Sequence, residues 1–200
     1  MCFHTQQSKN AQELEHRFKA KFVQNQNYQP GIYNGFSYPT TPVITNENTS
    51  LIQLIQWGLI PHWAKDDDIK KNTLNARIET IYEKPAFRDV TNKRCLIMAN
   101  AFFEWQWLDP KGKYKQKYQI NLPDHDVFAF AGLWSEWTNK NTNERIKTYT
   151  ILTTEANQLM STIHNSKKRM PVIVSQQYEN EWLVNNNLHL QNDSLIATPI

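Results

Sequence analysis

Apolar residues along this chain recur chiefly at every second position or in short unbroken runs, and only briefly at helical spacing. Ala11, Leu14, Phe18 and Phe22 fall at three- and four-residue steps with Glu13, Glu15, Arg17 and Lys19 between them, which predicts an amphipathic helix laid on the core. Residues 24–50 are rich in Asn, Gln, Pro, Thr and Gly and predict loops, with a strand beginning near Pro42-Val43-Ile44. Leu51 to Ile60 alternates and then runs apolar, a strand that stops at Gly58 and Pro61 between Trp57 and Trp63. That tryptophan pair is either core packing about a turn or a flat binding platform. After the acidic turn Asp66-Asp67-Asp68, the segment from Asn72 to Thr80 places Asn75, Arg77 and Glu79 on one strand face, opposite Leu74, Ala76 and Ile78.

The second half reads more strongly. Arg94 to Trp107 predicts the strongest core strand, headed by a buried Cys95. Asp109 to Gly112 predicts a hairpin turn, followed by Lys111, Lys113, Lys115 and Lys117 alternating with Tyr114 and Tyr118. Val127 to Trp134 and Thr148 to Thr153 predict two more strands, with Asn139 to Arg145 the tip of a hairpin. Thr154 is the expected N-cap of a helix carrying Ala156, Leu159, Met160 and Ile163 and ending at His164-Asn165. Pro171 to Val174 is a strand, and Ser175 is expected to cap a last helix through Tyr178, Trp182 and Leu183. With no repeat and no linker, residues 1–200 read as a single compact α+β domain. Its strands are expected to be mostly antiparallel, in a barrel-like sheet with a few packed helices.

Composition narrows the function classes. Seven Trp, eight Tyr and nine Phe against five Gly imply a packed aromatic interior or an aromatic binding face. Hydrophobic content of 40% and a mean hydropathy of −0.68 fit a soluble globular protein. No apolar run approaches the roughly 20 residues of a membrane helix. Met1 to Asn10 has no secretory apolar stretch, so the expectation is a cytoplasmic protein without a membrane partner. Cys2 and Cys95 do not make a disulfide framework. The six histidines are scattered, and CxxC, HExxH, P-loop, GxGxxG and GxSxG motifs are absent, so no metal or other cofactor is expected. A net charge of +3 permits nucleic acid without requiring it.

Candidate chemistry concentrates at a few places. Initiator Met is normally removed before a small residue, which would leave Cys2 with a free α-amine beside its thiol. An α-amine has a pKa of about 7.7–8.0 against about 10.4 for lysine, so it is neutral far more often at pH 7. Such an amine condenses with an aldehyde to an imine, and the neighbouring thiol closes onto it as a thiazolidine. Glu104 sits between Phe103 and Trp105, where a carboxylate is costly unless paired or protonated. Burial raises a carboxyl pKa, which is how an acid/base catalyst for neutral pH is made. Arg77 marks either a solvated edge or a phosphate site. His164, ahead of Lys167, Lys168 and Arg169, marks an exposed basic loop or the rim of an anion site. The lysine ribbon is either solvated or near a phosphate backbone.

The chain resembles the SOS response-associated peptidase (SRAP) family, the repair proteins that crosslink to abasic sites. The likeness runs through Met1-Cys2, Trp57-Gly58-Leu59-Ile60-Pro61-His62-Trp63-Ala64, Asn75-Ala76-Arg77-Ile78-Glu79-Thr80 and Arg94-Cys95-Leu96. It continues in Phe102-Phe103-Glu104-Trp105, Ala131-Gly132-Leu133-Trp134, and His164 with Arg169-Met170-Pro171. The resemblance implies a β-rich α+β fold and a thiazolidine link between Cys2 and the aldehyde of an abasic site in single-stranded DNA. It implies that Asn75 hydrogen-bonds the linkage and that Glu104 and His164 move protons. Arg77 and Arg169 would hold phosphates, and Trp63 would lie against the DNA. Phe3-His4 stand where the family usually has Gly-Arg, and Pro39 falls two residues late after Tyr33-Asn34. The spacing from His164 to Arg169 is longer than in many relatives. His4 and Pro39 are carried over as DNA-binding candidates at those places. The expected protein is thus a monomeric DNA-repair enzyme of the SOS response, of peptidase, hydrolase or lyase class. Its expected partner is single-stranded DNA containing abasic sites.

Two other readings compete. An N-terminal-nucleophile amidohydrolase would use Cys2 against amides and turn over a small amide without DNA. A non-catalytic single-strand binder would be salt-sensitive and indifferent to Cys2.

Overall fold

Phe128 and Phe130 face one core and Ala129, Ala131 and Leu133 the other, so one strand separates two layers of buried side chains. The computed structural model describes residues 2–23, 27–123, 126–185, 188–189 and 194–200. In chain order the strands are β1 (His4–Gln7), β2 (Lys21–Phe22), β3 (Gly31–Asn34), β4 (Thr40–Thr45), β5 (Asn48–Trp57), β6 (Asn75–Arg77) and β7 (Arg94–Ala99). They continue as β8 (Ala101–Trp107), β9 (Lys115–Asn121), β10 (Phe128–Thr138), β11 (Arg145–Glu155), β12 (Arg169–Pro171), β13 (Ile173–Val174) and β14 (Ile196–Pro199). The α-helices are α1 (Ala11–Phe18), α2 (Gln158–Ile163) and α3 (Glu179–Asn185). The class is α+β, as the sequence implies.

A five-stranded antiparallel sheet runs β14-β9-β8-β1-β3. The larger sheet follows β12-β11-β10-β7-β4-β5-β2, with β13 on β10 and β6 on β11. Three of its pairings are parallel, β2–β5, β11–β5 and β11–β6, so hairpins alone do not build it. Between the sheets lies a core of Phe102 and Ile120 against Val43, Ile55, Ile97, Phe130 and Ile151. Phe102 meets Phe130 edge-on across it, centroids 5.9 Å apart. The outer face of the larger sheet is covered by Leu14 of α1, by Ile81 and Phe87, and by Trp182 of α3.

Several predicted elements change on folding. Arg94 to Trp107 is two strands in two sheets, broken at Asn100, whose N–H donates to Gln6 O (2.9 Å) and whose side chain bonds both the N–H and the hydroxyl of Ser8. Residues 31–34 and 48–50 are strand, not loop, because they extend ladders with β1 and β4, and the strand expected near Pro42-Val43-Ile44 is β4, which begins two residues earlier at Thr40; residues 24–26 lie outside those described. The first helix stops at Phe18, where Lys19 takes a left-handed conformation (φ 52°), and Phe22 belongs to β2. Its start is fixed by a reciprocal cap, Asn10 accepting from the Glu13 N–H and Glu13 from the Asn10 N–H. Asn157, not Thr154, caps α2, since β11 continues to Glu155. Ser175 makes no side-chain cap, and a short 3₁₀ turn at Gln176–Tyr178 precedes α3. Glu79 leaves the face of Asn75 and Arg77, because β6 ends at Arg77 and a 3₁₀ turn follows.

Gly132 sits where β7, β10 and β11 crowd most. A Cβ there would come within 2.4 Å of Ile97 Cδ1, 2.6 Å of Thr150 O and 3.0 Å of Cys95 Sγ. Two of these are in the close-packed core and one is backbone, so neither sheet nor side chains can give way without strain. Gly132→Ala is expected to lose about 1–3 kcal/mol in denaturant unfolding with an unchanged m-value.

Candidate active site

The residues before β1 are held from two directions. The Gly35 N–H donates to the Phe3 carbonyl (2.8 Å), and the Phe3 ring lies against Phe36 with centroids 4.7 Å apart. Cys2 is thereby wholly buried in the core between the sheets. Its thiol makes a long contact to His4 O (3.8 Å). Burial pushes the thiol pKa well above its usual value, and the nearby charge of Glu104 pushes it the same way.

Asn75 arrives from the other sheet. The buried Trp57 indole donates to Leu74 O (2.8 Å), and the Ile151 N–H reaches the same oxygen (3.2 Å). That anchors β6 in parallel register with β11, Ile151 opposite Asn75 and Thr153 opposite Arg77. From this position Asn75 Nδ2 donates to the Cys2 carbonyl (2.9 Å). Asn75 Oδ1 is buried without a hydrogen-bond partner among the described residues. An acceptor left so costs about 1–3 kcal/mol, which marks a place for a donor.

Glu104 is buried on β8 opposite Tyr118, on the strand face it shares with Phe102 and Gln106. Burial raises its pKa from 4.5 to about 7, against the pull of the positive N-terminus. Two positions on, Gln106 Nε2 donates to Thr162 O (3.3 Å), and the Asn165 side chain bonds the N–H (3.1 Å) and carbonyl (2.9 Å) of Trp107. These bonds tie the end of α2 to β8 on both sides of His164. The buried His164 closes the helix through its N–H to Met160 O (2.7 Å), and its Nδ1 lies 2.8 Å from Arg169 O. Burial lowers its pKa from 6.5 to about 4, with the positive N-terminus adding to the effect, so the ring is neutral at pH 7. The charge of the N-terminus therefore acts on Cys2, Glu104 and His164 alike.

The remaining candidates are differently placed. Arg77 is exposed at the end of β6. Arg169 is buried, and its guanidinium makes a two-pronged pair with Glu79 (both 2.8 Å) and donates to Thr153 O (2.7 Å). It is thus not an exposed member of a basic rim, unlike Lys167 and Lys168. Trp63 stands 46% exposed in a turn, whereas Trp57 is fully buried, so the two tryptophans do not form one platform. Pro39 is half-buried and its carbonyl accepts from the Trp57 N–H (2.9 Å). The His4 ring meets Trp105 edge-on (4.9 Å), and desolvation with the neighbouring Lys117 lowers its pKa. Among the described residues no group of His, Cys, Asp or Glu is arranged to hold a metal, and no helix is long and apolar enough to cross a membrane. Sequence reasoning missed the pairing of Glu79 with Arg169 and the anchoring roles of Trp57, Thr153, Gln106 and Asn165. No local pattern signals such long-range partners.

Comparisons with known proteins bear on this geometry. A family model described as SOS response associated peptidase (SRAP) matches residues 1–199. The abasic site processing protein YoqW of Bacillus subtilis is 41% identical over 164 residues, covering 82% of this chain and 70% of the relative. The abasic site processing protein HMCES of Gallus gallus is 28% identical over 190 residues, covering 79% of this chain and 54% of the relative. A crystal structure of a protein from Bacteroides thetaiotaomicron superposes with a TM-score of 0.88 at 32% identity, covering 100% of this chain and 92% of that one. One from Bordetella bronchiseptica, at 24% identity, shares the fold with a TM-score of 0.81 over 100% of this chain and 99% of that one.

Proposed function

The chain belongs to the SOS response associated peptidase family, and on that premise we propose that it is a covalent sensor and shield of abasic sites in single-stranded DNA. The observation that carries this reading is the bond from Asn75 Nδ2 to the carbonyl of the buried Cys2, close to Glu104. It fixes the backbone of a residue that gains a free amine once Met1 is removed. The names of the relatives, abasic site processing proteins, support the substrate class.

The chemistry balances as a condensation. The ring-opened deoxyribose presents an aldehyde, and the Cys2 amine attacks its carbon to give a carbinolamine. Loss of one water leaves an imine. The thiol then adds across C=N, sulfur to carbon and hydrogen to nitrogen, closing a thiazolidine. A pKa near 7 lets Glu104 give a proton to the departing hydroxyl and take one from the thiol at neutral pH. The neutral His164 serves as a second proton acceptor while the sugar ring opens. Asn75 Oδ1 receives an N–H of the attacking amine and, after ring closure, that of the thiazolidine. Arg77 takes a flanking phosphate, and Trp63, Pro39 and His4 offer surfaces to bases and sugar. Arg169, held by Glu79 and Thr153, acts first as a wall of the site.

The test is a denaturing gel with single-stranded DNA carrying one abasic site, using protein whose loss of Met1 is confirmed by mass spectrometry. A heat-stable band whose mass equals protein plus DNA less one water is expected. DNA whose abasic aldehyde has been reduced by borohydride is expected to give none. Absence of the band with the intact aldehyde would refute the reading.

A further inference from the structure

The five-stranded sheet turns a second set of side chains away from Glu104. Cross-strand register places His4 opposite Phe103, Trp105 opposite Lys117 and Trp107 opposite Lys115, all on the outward face. Lys117 Nζ lies 4.5 Å from the Phe103 ring and 5.9 Å from that of Trp105, and Lys115 Nζ lies 5.6 Å from that of Trp107. Trp105, Trp107 and Lys117 are half-buried and Lys115 is exposed. No strand position on this face, read through the registers of β1, β3, β8, β9 and β14, is Asp or Glu.

Two observations argue for more than a solvated ladder. The Trp107 ring is seated on Gly112, a left-handed turn residue (φ +64°) whose Cβ would approach the ring atoms to 2.6 Å. The missing side chain therefore fixes an indole flat at the surface, with its ordering cost already met before any ligand arrives. The backbone of Trp107 is bonded to Asn165, the neighbour of His164, and Trp105 adjoins both Glu104 and His4. The ladder thus lies on the reverse face of the strand that carries Glu104, with its Trp107 end tied to the segment that carries His164.

We infer that this face holds single-stranded DNA running on from the lesion, with Trp107 stacking a base and Lys115 and Lys117 meeting phosphates. Aromatic faces accept any base, and lysines with no Asp or Glu at the strand positions of their face favour a polyanion, the carboxylate of Asp109 in the adjoining turn being taken up by the Lys111 and Tyr114 N–H groups. The lysines now lie over the rings, so a bound strand would divide each pair, base to ring and phosphate to ammonium. This assignment rests on the proposed DNA substrate, but its test does not need the crosslink.

Fluorescence anisotropy would compare undamaged single strands of about 4 and about 16 nucleotides. The wild type is expected to bind the longer strand at least roughly tenfold more tightly, by the contribution of one stacked base and two phosphates. Lys115→Gln with Lys117→Gln should lower the salt slope on the long strand by about 1.4 and leave the short strand unchanged. Trp107→Ala should weaken the long strand by roughly tenfold. If Trp107→Ala is misfolded by circular dichroism, the lysine pair alone decides. Equal affinity for both lengths, or an unchanged salt slope in the lysine variant, would overturn the inference. Failure of the crosslink assay with length-dependent binding intact would refute the covalent reading and leave this one standing.

Discussion

Glu104→Gln is expected to make the protein more stable at pH 8 while slowing crosslink formation by roughly 10²–10⁴-fold. The carboxyl is buried and titrates near 7 in the folded chain against 4.5 ordinarily. A raised carboxyl pKa means the native state holds a proton that the unfolded chain has released between pH 4.5 and 7. Its contribution is therefore fully present below pH 4.5 and is lost as pH rises to 7, a change of about 3 kcal/mol. Glutamine is the neutral form made permanent, so it escapes that loss above pH 7. His164 works in the opposite sense. Its pKa falls from 6.5 to about 4, so stability rises with pH through that window. The two windows nearly coincide and the slopes oppose, which makes the wild type almost flat between pH 4.5 and 6.5 from these groups. Glu104→Gln should uncover the rise due to His164. Urea unfolding at pH 5 and pH 8, beside crosslinking rates at the same values, checks both halves. Equal stability of variant and wild type at pH 8 would mean that Glu104 is not held near 7.

The same residue shows what the sequence can disclose. A single carboxylate among Phe102, Phe103, Trp105 and Trp107 conflicts with its surroundings, and a conflict of that kind is visible without coordinates. Strand alternation is visible for the same reason, since Phe128 to Leu133 and Cys95 to Ala99 each face two buried layers. What stays hidden depends on partners far along the chain. Asn100 divides one apolar run into two strands because it bonds Ser8, a residue 92 positions away. Asn75 meets Cys2 across 73 positions, and nothing near either residue requires it. The strand β3 reads as a loop because its ladder partner β1, not its own composition, holds it extended. The cysteine, asparagine, glutamate and histidine were thus legible as types and as a family pattern. Their mutual placement was not.

Glu79→Ala is expected to cost about 2–3 kcal/mol in stability and to disturb His164 without touching it. The Arg169 side chain is 8% exposed and that of Glu79 42%, so deleting the carboxylate strands a buried cation while water reaches only one side of the pair. Arg169 Nε already lacks a partner among the described residues, which leaves little to take up the charge. The hydrogen bonds from Arg169 hold the Glu79 pKa below 4.5, so the pair stabilises at neutral pH and fades as acid protonates the carboxyl. Its mechanical effect passes through one contact. Arg169 O lies 2.8 Å from His164 Nδ1 and the Arg169 N–H 3.3 Å from the same nitrogen; the shorter contact, to an oxygen that only accepts, favours the proton on Nδ1 and the lone pair on Nε2. Releasing the guanidinium frees that carbonyl to move. Nitrogen-15 shifts of His164 should show one tautomer in wild type and a mixture in Glu79→Ala, with Glu79→Gln between them because its amide retains the shape but not the charge. The crosslinking rate should fall in the same order. A pure Nδ1–H tautomer surviving in Glu79→Ala would show that the helix end, through the Met160 carbonyl and Asn165, orients His164 without the Glu79–Arg169 clamp.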